Sequence, residues 1–136
     1  MDAADWALLE AMPLWLELPE HQLVVVHAGI DPRVELSQQR VEVLTRMRSW
    51  EAGEPSERFR EESWAERYAG PRHVVFGHNA RLGLQLHAHA TGLDSGCVYG
   101  GELSALVLPA GGSPLPAAER RAQIVSVSAR KKYFSG

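Results

Sequence analysis

Two stretches decide how this chain is read: Leu23-Val24-Val25-Val26-His27-Ala28-Gly29 and His73-Val74-Val75-Phe76-Gly77-His78-Asn79-Ala80. Each contains a short unbroken apolar run, rich in β-branched residues, with glycine and histidine just beyond it. Such runs are the pattern of strands buried on both faces. Each run therefore delivers a histidine at a strand end, where a rigid scaffold commonly places ligand and catalytic groups. The neighbouring glycines allow tight turns and a close approach of backbone to a ligand. Spacing alone leaves two readings open. Neutral imidazole is the commonest metal ligand, but two separate strand-end histidines bonded to nearby backbone would look the same, and no short-range ligand spacing selects between them.

The rest of the chain organises around these two runs. Asp5 to about Leu16 reads as an amphipathic helix kinked at Pro13, with Asp2 or Asp5 able to cap it. Glu35 to Arg46 reads as a second helix, 51–62 as a charged surface loop, and Ser63 to Tyr68 as a helical turn. Further strands are expected over 84–87, 90–93, 103–108 and 123–127, with a Gly/Pro-rich loop at 109–116. About six strands and two or three helices give an α/β or α+β chain with sheets at its core.

Composition narrows the classes. The 136 residues, 45% hydrophobic and 23% charged, fit one soluble domain. A single cysteine, Cys97, excludes a disulfide framework and a multi-thiolate zinc site; it reads as a small buried thiol. A formal net charge of −3 gives no reason to expect nucleic-acid binding. No apolar run approaches the ~20 residues of a membrane span. Residues 1–20 are acidic and lack Lys and Arg, unlike a targeting signal, so a cytoplasmic location is expected. Residues 119–136 form a partly basic tail that includes Arg120, Arg121, Arg130, Lys131 and Lys132; a solvated terminus is the plain reading. His87 and His89 could share one face of a strand, although a nearby turn favours two exposed side chains. His21 and His73 are read as structural.

The segment Gly92-Leu93-Asp94-Ser95-Gly96-Cys97-Val98-Tyr99-Gly100-Gly101-Glu102-Leu103-Ser104-Ala105-Leu106 is the most unusual. In order, His27-Ala28-Gly29-Ile30-Asp31-Pro32, an arginine-bearing helix end (Leu44-Thr45-Arg46-Met47-Arg48-Ser49), Phe76-Gly77-His78 and this glycine-rich segment resemble the calcineurin-like metallophosphoesterases. The similarity is to the bacterial branch of serine/threonine protein phosphatases and symmetrical diadenosine tetraphosphate hydrolases, and it covers roughly residues 10–130. It implies that His27 and His78 are ligands to one metal of a two-metal site. It implies that Arg48 grips the substrate phosphate, with Arg46 its competitor, and that Tyr99 lines the site beside the metals. Asp94 would order its loop rather than ligate. The implied chemistry is metal-assisted hydrolysis of a phosphoester by direct water attack. Manganese is the expected ion, with iron, zinc and cobalt as alternatives. The implied substrate is a phosphoprotein or a dinucleoside polyphosphate.

The chain departs from that family in one respect. The motifs Gly-Asp-x-His, Gly-Asp-x-x-Asp-Arg-Gly and Gly-Asn-His-Glu, which supply the remaining ligands and the general-acid histidine, are absent. The only aspartates are Asp2, Asp5, Asp31 and Asp94, and the only asparagine is Asn79. The expectation is therefore the C-terminal half of a metallophosphoesterase β-sandwich flanked by helices, lacking its N-terminal half, with Met1 not the start of the functional protein. A two-metal site would form only if the missing half were supplied. Such a half should expose an apolar face and associate through it. The alternatives are a non-catalytic phosphatase-like binding module and a mononuclear metal site on His27 and His78.

Overall fold

The computed structural model describes residues 2–134; Met1 lies outside them, and the basic tail is described as far as Phe134. In chain order the elements are α1 (Ala3–Glu10), β1 (Trp15–Leu18), β2 (Leu23–Val26), α2 (Val41–Arg46), β3 (Ser49–Glu51) and β4 (Glu54–Ser56). There follow β5 (His73–Phe76), β6 (Gln85–Leu86), β7 (Ala90–Gly92), β8 (Glu102–Leu106) and β9 (Ile124–Ser128). Short 3₁₀ turns fill several connections.

The main sheet has the order β1-β2-β5-β7-β6. Its centre is parallel, β2 with β5 and β5 with β7, and an antiparallel strand closes each edge. Parallel strands are covered on both faces, which is why β2 and β5 read as continuous hydrophobic runs. Val24, Val26, Val74 and Phe76 are buried in one core with Leu44, Met47, Trp64 and Tyr68. Trp64 anchors that core: its indole N–H donates to the Ala28 carbonyl at 3.0 Å, and its ring meets Phe76 at 4.9 Å. β3 and β4 form a separate hairpin, and β8 and β9 another.

Several sequence expectations are corrected. The first helix stops at Glu10 instead of running to Leu16, because Asp2 and Asp5 make a capping box at its start while Pro13 bars its continuation. Residues 15–18 then become edge strand β1. None of α1 is buried. The second helix shrinks to Val41–Arg46, preceded by a 3₁₀ turn at Leu36–Gln38. Asp31 reaches back to Arg33 through paired contacts of 2.9 and 2.7 Å, and Gln39 bonds the Asp31 backbone, so this stretch is an ordered loop. The charged loop over 51–62 contains β4, held by pairing with β3. The strand count rises to nine among the described residues because these short pieces lack a hydrophobic run. The solvated reading of the tail fails at Arg120, which is 1% exposed. Its guanidinium donates to the His87 carbonyl at 2.7 Å, the Leu115 carbonyl at 2.9 Å and the Ala90 carbonyl at 3.1 Å.

Candidate functional site

β2 and β5 are parallel neighbours, in register from Leu23 with His73 to Val25 with Val75. Their ends therefore emerge at the same rim of the sheet, and the two histidines that follow them meet. The rings of His27 and His78 lie 5.1 Å apart, centre to centre. A backbone bond from Gly77 N–H to the His27 carbonyl, 2.9 Å, ties the two strand ends together. Strand pairing explains how residues 51 positions apart come to face one another.

His78 carries two marks of a ligand-binding position. Its backbone is left-handed, φ +67°, a conformation that costs a non-glycine residue about 1–3 kcal/mol and persists where surroundings enforce it. Its Nε2 is buried with no hydrogen-bond partner. Burial, the Arg48 guanidinium and His27 all push its pKa below the ordinary imidazole value, while the Arg46 backbone and Asp94 act the other way. The balance favours neutral imidazole, the form that binds a metal. An unpaired ring nitrogen beside a second imidazole suits a first-row divalent ion. It supplies one side of a coordination sphere: among the described residues no group of three or more His, Cys, Asp or Glu is placed to hold a metal.

A cavity of about 700 Å³ opens beside His78, with Arg48 and Tyr99 in its wall. The sequence left Arg46 and Arg48 undecided for the phosphate role. The structure puts Arg48 in the cavity wall, whereas Arg46 points away, 3.9 Å from Glu57 on the surface. A second, smaller and largely apolar cavity touches both His27 and His78. Thus His27, His78, Arg48 and Tyr99 converge on one region, His78 standing between the two cavities.

The glycine-rich segment is built to pass close to itself. A side chain at Gly101 would start 2.3 Å from the Ser95 carbonyl oxygen, so only glycine fits there. Asp94 accepts from the Gly96 N–H at 3.1 Å, in keeping with its expected role in ordering the loop. The reading of Gly29 as making room for a ligand is corrected: its Cβ would lie 2.9 Å from the Trp64 ring nitrogen and 3.1 Å from the Met47 sulfur. Gly29 makes room for the core that fixes the His27 loop. Cys97 is half-buried rather than buried.

The other histidines play separate parts. His87 and His89 flank a turn between β6 and β7 instead of sharing a strand face, and the His87 ring bonds Gln85 at 3.3 Å. His21 meets the Gly112 carbonyl at 2.6 Å and His73 the Thr91 hydroxyl at 2.8 Å. Sequence reasoning missed Phe59, Asn79, Arg81 and Lys132, all in the cavity wall. Arg81 could have been suspected from its place three residues after His78. Lys132 carried no signal, because only the folded tail brings it back.

The fold is mixed α/β, and it matches that of a solved structure described as "a putative diadenosine tetraphosphatase". The match covers 95% of this chain and 56% of that one, with a TM-score of 0.79 and 34% identity. In sequence, the chain is similar to bacterial proteins named bis(5'-nucleosyl)-tetraphosphatase PrpE, asymmetrical. That of Halalkalibacterium halodurans is 34% identical over 105 residues, covering 75% of this chain and 42% of the relative. That of Oceanobacillus iheyensis is 27% identical over 136 residues, covering 94% and 48%. The chain therefore spans less than half the length of these relatives. No family model matches it. No helix among the described residues is long and apolar enough to cross a membrane.

Proposed function

We propose that this chain carries the imidazole side of a metallophosphoesterase centre together with its phosphate-binding wall, in a hydrolase acting on phosphoesters of the dinucleoside polyphosphate class. The observation that carries this reading is the His27–His78 pair, with rings 5.1 Å apart and His78 Nε2 buried and unpaired. The names of the relatives, bis(5'-nucleosyl)-tetraphosphatases, favour a dinucleoside polyphosphate over a phosphoprotein.

In this reading His27 and His78 hold a divalent ion, with manganese the first choice and iron, zinc or cobalt as alternatives. When bound, such an ion polarises phosphoryl oxygens and acidifies a bound water. The chain's own residues do the rest. Arg48 presents a guanidinium to the phosphate and balances charge that develops there. Its orientation is fixed by donation to the Glu57 carbonyl at 3.2 Å. Tyr99 limits the volume beside the histidines. In this reading the carboxylate ligands, a second ion and the acid that protonates the leaving oxygen would come from the part of the relatives' length that this chain does not span. A cytoplasmic location goes with a soluble nucleotide substrate.

The test is turnover of diadenosine tetraphosphate and of nitrophenyl phosphate with added manganese. It uses this chain alone and this chain within the longer polypeptide that the relatives' length suggests. Activity that disappears in His27→Ala and in His78→Ala supports the hydrolase. Ligand binding with no turnover in either form would make the chain a non-catalytic module.

A further inference from the structure

The cavity beside His78 is more cationic than a single phosphate requires. Arg48, Arg81 and Lys132 reach its wall from three separate parts of the chain, and no Asp or Glu lines it. None of the three is in an ion pair among the described residues. This concentration stands out in a chain whose net charge is −3. Unneutralised like charges in one concavity repel each other and are stabilised by a bound polyanion.

The Arg81 side chain and the backbone beside Lys132 are held in place. The Arg81 guanidinium lies over the Phe59 ring, 5.2 Å from its centre, a cation–π contact. Lys132 comes from the basic tail, which folds back: Tyr133 and Phe134 N–H both donate to the Val98 carbonyl, at 2.9 and 3.0 Å. The Phe134 ring meets Tyr99 at 6.0 Å. A fourth group points the same way. Asn79 is 3% exposed, lines the cavity and leaves its amide Nδ2 without an acceptor. A buried donor with no partner costs about 1–3 kcal/mol unless a ligand supplies an acceptor.

We propose that Arg81 and Lys132, with Asn79, form a subsite for the further phosphates of a polyphosphate chain whose first phosphate rests at Arg48. This rests on the reading of the cavity as the phosphate site, and it makes the preferred ligand a chain of linked phosphates rather than a monoester. The chain could be inorganic or carried by a nucleotide; the shared chemistry is the linked phosphate run.

The experiment is calorimetric titration of the whole chain, in chelator and without metal, with orthophosphate, tripolyphosphate and diadenosine tetraphosphate. Tripolyphosphate is expected to bind about tenfold or more tighter than orthophosphate, from two added charge-assisted contacts. Arg81→Gln and Lys132→Gln should each weaken tripolyphosphate about fivefold and change orthophosphate less than about twofold, and Lys132→Arg should restore binding. Both positions are exposed, so these variants should fold. Diadenosine tetraphosphate binding as tightly as tripolyphosphate identifies a nucleotide-borne chain; its exclusion while tripolyphosphate binds identifies an inorganic one. The proposal is overturned if orthophosphate and tripolyphosphate bind alike, if neither binds, or if the glutamine variants weaken both equally. Polyphosphate binding without turnover in the longer polypeptide leaves this subsite standing and removes the hydrolase reading. Turnover with binding blind to chain length does the reverse.

Discussion

The parallel centre of the main sheet and the β8–β9 hairpin both carry apolar side chains, and these have opposite fates. Val74, Val75 and Phe76 of β5 are buried. Leu103 of β8 is 67% exposed and Val127 of β9 is 65% exposed, in strands whose apolar residues are interrupted by Ser104, Ser126 and Ser128. In β5, Val74 and Phe76 join the core that holds Trp64 and Leu44, so burial removes apolar area from water. The hairpin is held by its own five-residue ladder and a hydroxyl chain, Ser95 to Ser104 at 2.6 Å and Ser104 to Ser126 at 2.9 Å. Arg120 links the two regions, donating to carbonyls on both sides of the β6–β7 turn from a 3₁₀ turn just before β9. Unbroken apolar runs thus anchor the site in one place, and serine-interrupted runs leave an apolar face open in the other.

That contrast can be broken by substitution. Trp64→Ala should cost about 3–5 kcal/mol in urea unfolding, enough to unfold much of the population, because it empties the core under the His27 loop. Val127→Ala should stay within about 0.5 kcal/mol. Equal effects would mean that the hairpin is covered in solution. Arg120→Met should cost about 2–4 kcal/mol by stranding the buried carbonyls it serves. Hydrogen exchange should then rise first in β8 and β9. An increase spread evenly over the main sheet would show that Arg120 does not act as the link between them.

Smaller effects sharpen the comparison. His78→Gly should leave stability unchanged or raise it by about 1 kcal/mol, since the left-handed backbone is relieved while ligand binding is lost. A large loss of stability would make His78 a packing residue. Sedimentation velocity should show association that rises with concentration through the exposed faces of α1 and the hairpin, and Val127→Lys should reduce it. A separate effect concerns pH. Burial, Arg120 and His89 lower His73 to about 4 from 6.5. The unfolded chain therefore binds this proton first as pH falls, and stability should drop between pH 6.5 and about 4 and then level off for this group. His73→Gln should flatten that part of the curve; an unchanged slope would assign the loss to other groups.

The parallel core and both strand-end histidines were legible because an apolar run with no polar interruption has few other folds open to it. Tyr99, and the preference for Arg48 over Arg46, were legible only through the family resemblance. Strand β1 was hidden in a helical pattern, since Leu14 and Leu16 satisfy either period until Pro13 is given its full weight. Lys132 was out of reach because tertiary folding, not spacing, carries the tail to the Cys97–Tyr99 turn, whereas Arg81 had a signal in its place three residues after His78. Arg120 looked like one more tail charge, and nothing in the local sequence indicates that it would be buried against backbone carbonyls and the Thr91 hydroxyl.

The most direct test of the central claim is a cobalt(II) titration of the chain followed by its visible absorption. One ion per chain should bind, with loss of the signal in both His27→Ala and His78→Ala and its retention in His87→Ala. A signal unchanged when both His27 and His78 are removed, or no binding at millimolar metal, would contradict the assignment of these two imidazoles to a metal centre.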